Sequence, residues 1–245
     1  MKILGIESSG LVASVAVVQD AVLLGEYTTN FKKTHSQTLL PMLDELKKMI
    51  ELDLNEVDAI AISAGPGSFT GLRIGSATAK GLGLALKKPI VEVPTLEGMA
   101  FQLWSSDSVI CPIMDARRSQ VYTAVYEYGC KTQSTAQTGA DMPDLPVCLV
   151  EQAGMDIHDL LARLHEIGRK VIFLGDGVPV YADVIAEDCK VPYSFAPAHM
   201  NAQRAGSIAA LGSIYYSLGK FVLAAEHQPE YLRKSQAERE KEERK

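Results

Sequence analysis

"KILGIESSGLVASVAVV", residues 2–18, holds two short apolar runs rich in Val, Ile and Leu, separated by a small polar turn that begins at an acid, Glu7. Such runs read as β-strands, and "AVLLGEYTT", residues 21–29, adds a third after a tight turn near Asp20. The same order returns at "SVICPIMDARRSQVYTAVYEY", residues 108–128, where a strand ends in Asp115, turns through two arginines and comes back as an alternating strand. A second pair matches too: "DAIAISAGPGSFTGLRIG", residues 58–75, and "RKVIFLGDGVPVYADVIAE", residues 169–187, are each strand, glycine turn and helix. Matched elements in matched order point to an internal duplication and a two-lobed α/β protein.

From Ser36 the residues Leu39, Leu43, Leu46 and Ile50 recur at helical spacing, with Met42 and Met49 widening the stripe. Pro41 must sit in the first turn of that helix or kink it. A buried-type strand "VDAIAIS", a helix over 69–86, a strand "PIVEV" and a helix from Thr95 to Trp104 complete the first half as βββαβαβα. The polar break at Trp104–Asp107 divides the chain into an N-terminal lobe, 1–104, and a C-terminal lobe, 105–235. Residues 129–146 read as a surface loop, and Ala202–Leu218 as a last helix free to pack back on the first lobe. The charged tail, 236–245, is expected to be disordered.

With 47% hydrophobic and 22% charged residues over a length of 245, the chain carries enough apolar matter for a substantial core. Its net charge of -6 argues against a broad polyanion-binding face, which needs a basic surface. No apolar run has the length of a signal peptide or membrane span, so the expectation is a cytoplasmic protein without membrane contact. Cys111, Cys130, Cys148 and Cys189 form no Cys-x-x-Cys pair and read as free thiols. The histidines His35, His158, His165, His199 and His227 make no local metal-binding helix face.

The Gly65-Pro66-Gly67 turn between strand and helix has the general geometry of a phosphate cradle. Its spacing fits neither the dinucleotide fingerprint nor a Walker loop, and Pro66 removes one N–H. A tight turn into a helix capped by Ser68 explains it equally well. The helix itself carries a stronger pattern, because Gly71, Gly75, Ala79 and Gly83 fall at four-residue steps and form a column of nearly bare backbone. Something must lie close against that column, since interior glycines cost about 1 kcal/mol each relative to Ala. Packing within the lobe and packing against another subunit both satisfy it, the second with Leu39 and Leu43 of the preceding helix alongside.

In the duplicated actin, sugar-kinase and heat-shock ATPase architecture, a carboxylate ends the first strand of each half and faces the nucleotide metal. Glu7 and Asp115 stand at those places here, and with Ser8, Gly67 and Gly177 they are the candidates for a vestigial nucleotide cleft. Both acids would serve equally to cap their own turns.

"GIESSG", "AGPGSFTGLRIGSATAKGLGLAL", "KKPIVEVPTLEG", "DARRSQVY" and "PEYLRKSQAE" together resemble the TsaB (YeaZ) family, from the first strand to about Glu238. That resemblance implies a noncatalytic subunit that binds TsaD, the transferase that puts a threonylcarbamoyl group on a tRNA adenosine next to the anticodon, and with it the ATPase TsaE. It also implies a homodimer when alone, only indirect contact with tRNA, no cofactor of its own, and ATP and metal on the partner subunits. Leu39, Leu43, Gly71, Arg73, Gly75, Ala79 and Gly83 would then be the partner-binding residues, forming an intersubunit helical bundle. TsaD carries two histidines around Leu-Glu-Gly as a metal face, whereas "TLEGM" puts Thr95 and Met99 there, poor replacements for paired imidazoles. Glu7 is a departure, since an Asp is expected in TsaB. The rival readings are an independent ATP-dependent small-molecule kinase or ATPase of the same fold, a peptidase, and a direct tRNA binder.

Overall fold

The computed structural model describes residues 1–31, 34–129 and 144–232. The first half runs β1 (Lys2–Glu7), β2 (Ala13–Gln19), β3 (Val22–Thr29), α1 (His35–Met49), β4 (Ala59–Gly65), α2 (Phe69–Leu86), β5 (Ile90–Pro94) and α3 (Thr95–Phe101). The second repeats it as β6 (Val109–Asp115), β7 (Gln120–Glu127), β8 (Val147–Asp156), α4 (Ile157–Ile167), β9 (Val171–Leu174), α5 (Val178–Asp188), β10 (Tyr193–Phe195) and α6 (Ala205–Ser217). Each half builds a five-stranded mixed sheet, ordered β3-β2-β1-β4-β5 and β10-β9-β6-β7-β8. Reversed, the second order is the first, strand for strand. Antiparallel pairing in the opening meander and parallel pairing after the crossover helices recur in both. This is the duplicated, two-lobed α/β fold expected from the sequence, each half running βββαβαβα.

Alternation along β1 sets the layers. Leu4 and Ile6 join Leu39, Leu43 and Leu46 of α1 and Ala79 of α2 in one core. Ile3 belongs to a second core on the opposite face, with Ile208, Ala209, Leu211 and Ile214 of α6. The last helix therefore covers the first sheet. Glycines permit that close approach: Gly5 lies under the Ala205 carbonyl, and a Cβ at Gly212 would stand 2.5 Å from the Ala61 Cβ. Beyond α6 the chain returns along the same half as a strap. Val222 bridges Ile90, Glu230 N–H donates to Ala64 O at 2.7 Å, and Lys80 Nζ donates to the Ala225 and His227 carbonyls at 3.1 and 3.0 Å.

Pro41 lies beyond the first turn of α1, which runs on through it. Helix α3 ends at Phe101, short of Trp104, and α6 starts at Ala205 because Arg204 is extended, with φ -143°. Cys111, Cys148 and Cys189 are free thiols, and burial pushes that of Cys111 up to about 12. Cys130, most of the expected 129–146 loop and the 236–245 tail lie outside the described residues. No helix among the described residues is long and apolar enough to cross a membrane.

Candidate functional site

Glu7 closes β1 with its side chain wholly buried. Its Oε1 accepts from Ser9 N–H and Ser9 Oγ–H, both at 2.6 Å, while Oε2 is buried without a partner. Burial raises its pKa, the Ser9 hydrogen bonds opposing. Burial thus works against the charged form that a hard cation would need as a ligand. Ser8 Oγ donates to Gly71 O at 3.0 Å, and Ser68 N–H donates to Ser9 O at 2.6 Å. Ser68 also caps α2 as expected, accepting from Gly71 N–H at 3.3 Å. A Cβ at Gly67 would collide with Ser9 O. The glycine turn thus docks on the Ser8–Ser9 turn of its own chain, which takes the Ser68 N–H, one of the backbone donors a phosphate would use.

In the second half Asp115 is exposed at the end of β6. Its Oδ1 accepts from Arg117 N–H at 2.8 Å and Tyr181 Oη–H at 3.2 Å, and its own N–H donates to Asp176 Oδ1 at 3.2 Å. Gly177 starts α5 with its N–H on Ile113 O at 3.0 Å. The cleft candidates therefore form two groups on different sheets: Glu7, Ser8 and Gly67 through Ser9, and Asp115 and Gly177 through Asp176.

Sequence reasoning passed over Asp176, reading it as part of a Gly-Asp-Gly turn. Burial, with the nearby Asp115 charge adding to it, raises its pKa from 3.8 to about 6. The folded chain holds this proton more firmly than the unfolded chain, so the stability it confers is complete below about pH 4 and is lost as pH rises through 6. Asp176→Asn keeps the acceptor for Asp115 N–H and removes the charge. It should stabilise the protein at pH 7.5 by on the order of 2 kcal/mol, after discounting for partial exposure, and by almost nothing at pH 4. Urea melts at the two pH values check this.

The glycine column requires a correction. Gly71, Gly75, Ala79 and Gly83 are buried in the chain's own fold. A Cβ at Gly71 would collide with Ser8 O, one at Gly75 with Ser8 Oγ, and one at Gly83 would stand 2.7 Å from the Ala224 Cβ of the strap. Leu39 and Leu43 are equally buried, at 1% and 4% exposure. These residues are bare or apolar because their own turn, sheet and strap lie against them. The outward faces carry other residues: Leu40 and Met49 on α1, and Arg73, Ala77, Gly81, Leu84 and Ala85 on α2, all exposed. Nothing lies within 4 Å of a Cβ at Gly81. Arg73 rests 3.9 Å over the Phe69 ring, which packs 4.8 Å from Tyr231, and its Nε donates to Tyr231 Oη at 3.4 Å.

With this geometry, the most informative relative is the Bacillus subtilis tRNA threonylcarbamoyladenosine biosynthesis protein TsaB, 32% identical over 97% of this chain and 96% of its own. The chain belongs to the TsaB (YeaZ) family. The Escherichia coli TsaB is 34% identical over 52% of this chain and 55% of its own. A family model described as TsaD: tRNA N6-adenosine threonylcarbamoyltransferase matches residues 23–241. Among solved structures, one described by its similarity to peptidase YeaZ from Pseudomonas aeruginosa superposes with TM-score 0.76 at 24% identity, over 95% of this chain and 99% of that one. YeaZ from Pseudomonas aeruginosa gives 0.72 at 23%, over 94% and 99%. Both support the fold. Within this TsaB-type chain the "TLEGM" segment is core: Thr95 and Met99 are 0% and 1% exposed, Thr95 Oγ1 has no hydrogen-bond partner, and Met99 packs with Leu96, Ile110, Met114 and Leu174 between the halves.

Proposed function

We propose that this chain is a noncatalytic scaffold that binds and activates TsaD, and with it TsaE, in threonylcarbamoylation of the tRNA adenosine next to the anticodon. The relatives named TsaB support the pathway. The observation that carries the scaffold reading is the packing of the first-half glycine turn against the Ser8–Ser9 turn: Ser9 O takes the donor at the start of α2, and a buried Glu7 commits one oxygen to Ser9. The same observation disfavours the kinase or ATPase rival, because a phosphate would have to displace part of the protein's own backbone. Direct ATP hydrolysis is expected to be absent from the purified chain, with ATP and metal held by the partner subunits in the cytoplasm.

The partner surface, in this reading, is the outer side of α1 and α2, which the lone chain also uses to form a homodimer. Exposed Leu40, Met49 and Leu84 offer apolar anchors, and Ala77, Gly81 and Ala85 let a partner helix approach closely. Gly81→Leu adds bulk where the isolated chain has open space, so its own fold should be unaffected. Co-elution with TsaD should be lost, with a weakening of about 30-fold or more as expected for a blocked interface centre. Undiminished co-elution would remove this face from the assembly.

A further inference from the structure

The hairpin joining β6 to β7 contains three consecutive non-glycine residues in left-handed backbone, Arg117, Arg118 and Ser119, with φ of 62°, 56° and 58°. Side-chain-bearing residues resist this conformation, and turns that need it are ordinarily given to Gly or Asn. This one is held by three hydrogen bonds within the hairpin and one from the start of α4: Arg117 N–H donates to Asp115 Oδ1 at 2.8 Å, Gln120 N–H to Arg117 O at 3.2 Å, Ala116 N–H to Gln120 O at 2.9 Å, and Ile157 N–H to Ser119 O at 3.1 Å. Both arginine side chains are exposed, and neither guanidinium makes an ion pair or side-chain hydrogen bond among the described residues. Backbone strain that the surroundings hold in place, at a point where two unpaired cations project, is the pattern of a ligand contact.

We propose that the Arg117–Arg118 turn is a phosphate-contacting point for the tRNA substrate, a direct contact within the assembled complex. This rests on the proposed role in tRNA modification. Guanidinium groups match phosphate oxygens with two parallel hydrogen bonds. A chain of net charge -6 repels a polyanion as a whole, so attraction must be concentrated at a discrete basic point. One oxygen of the exposed Asp115 carboxylate accepts from Arg117 N–H and Tyr181 Oη–H, and so fixes the turn.

The test is binding of an unmodified tRNA transcript to the complex of this chain with TsaD, measured over a series of salt concentrations. Arg117→Gln/Arg118→Gln should weaken binding about 10-fold and flatten the dependence of log Kd on log salt by about 1–2, while co-elution with TsaD stays intact. Arg118→Gln alone should give about half the change in slope. Its backbone forms none of the hydrogen bonds named above, so the turn survives the substitution. Unchanged affinity and slope with intact co-elution would overturn the inference and leave the scaffold reading standing. Loss of co-elution by a variant that melts like the wild type would also overturn it, since the arginines would then contact protein. Failure of the wild-type chain to bind TsaD at all would instead defeat the scaffold reading.

Discussion

Gly71→Ala is expected to cost about 3–4 kcal/mol and to leave the chain poorly folded at physiological temperature. One methyl group produces this because the new Cβ would stand 2.1 Å from the Ser8 carbonyl oxygen, a backbone atom that cannot rotate away. Helix α2 would have to lift from the β1–β2 turn, breaking the Ser68 N–H bond to Ser9 O and the Ser8 Oγ bond to Gly71 O. The gain in helix propensity, about 1 kcal/mol for Gly to Ala, is too small to compensate. Gly75→Ala meets Ser8 Oγ instead, a side-chain atom that can turn aside at the expense of its hydrogen bond, and should cost about 1–2 kcal/mol. Gly81→Ala meets nothing within 4 Å and should stabilise the chain by up to about 1 kcal/mol. Denaturant melts of the three variants should give that order with a change of sign at the end. Equal gains at all three would mean that helix propensity, and not contact with the β1–β2 turn, governs these positions.

The glycines of α2 show where sequence reasoning succeeded and where it ran out. Four-residue spacing correctly demands that something lie close against Gly71, Gly75, Ala79 and Gly83, but periodicity within one helix cannot say whether the neighbour is a distant part of the same chain. The neighbours are Ser8, sixty-three residues from Gly71, and Ala224 in the strap. The duplicated fold was legible because strand ends, acids and glycine turns recur in order, and because β1 and β6 each carry an acid at the same structural place. Strand β10 was not placed from the sequence, being only three residues long. Nor was α4, although Ile157, Leu160, Leu161 and Leu164 repeat at helical spacing and its ends carry an Asp156 cap and a left-handed Gly168. Asp176 and the left-handed Arg117–Ser119 turn depend on three-dimensional surroundings, and a sequence pattern reports neither burial nor the sign of φ.

Glu26→Ala is expected to loosen the last helix from the first sheet and to cost about 3 kcal/mol. The Glu26 side chain is only 7% exposed. Its Oε1 accepts from Gly206 N–H at 2.9 Å, satisfying an otherwise unpaired donor in the first turn of α6, and its Oε2 accepts from Arg204 Nε at 3.1 Å and from the Arg204 Nη2 group. Ser14 Oγ takes the neighbouring Ala205 N–H at 3.1 Å, so strands of the first half supply the cap for a helix that arrives about 180 residues later. Removing the carboxylate strips both the helix donor and the arginine, and α6 has no side-chain cap of its own to substitute. Glu26→Gln retains an acceptor for Gly206 N–H and loses the attraction for the helix N-terminus and Arg204, so about 1–2 kcal/mol should go. Arg204→Ala, by contrast, leaves Glu26 buried beside the positive end of a helix dipole, and should cost about 1–2 kcal/mol as well. A double-mutant cycle on Glu26 and Arg204 separates the two contributions: a coupling energy smaller than the loss in Glu26→Ala alone is expected, because capping of Gly206 survives removal of the arginine. If Glu26→Ala and Glu26→Gln prove equally destabilising, the carboxylate acts through its charge alone and the cap contributes nothing to holding α6 against the sheet.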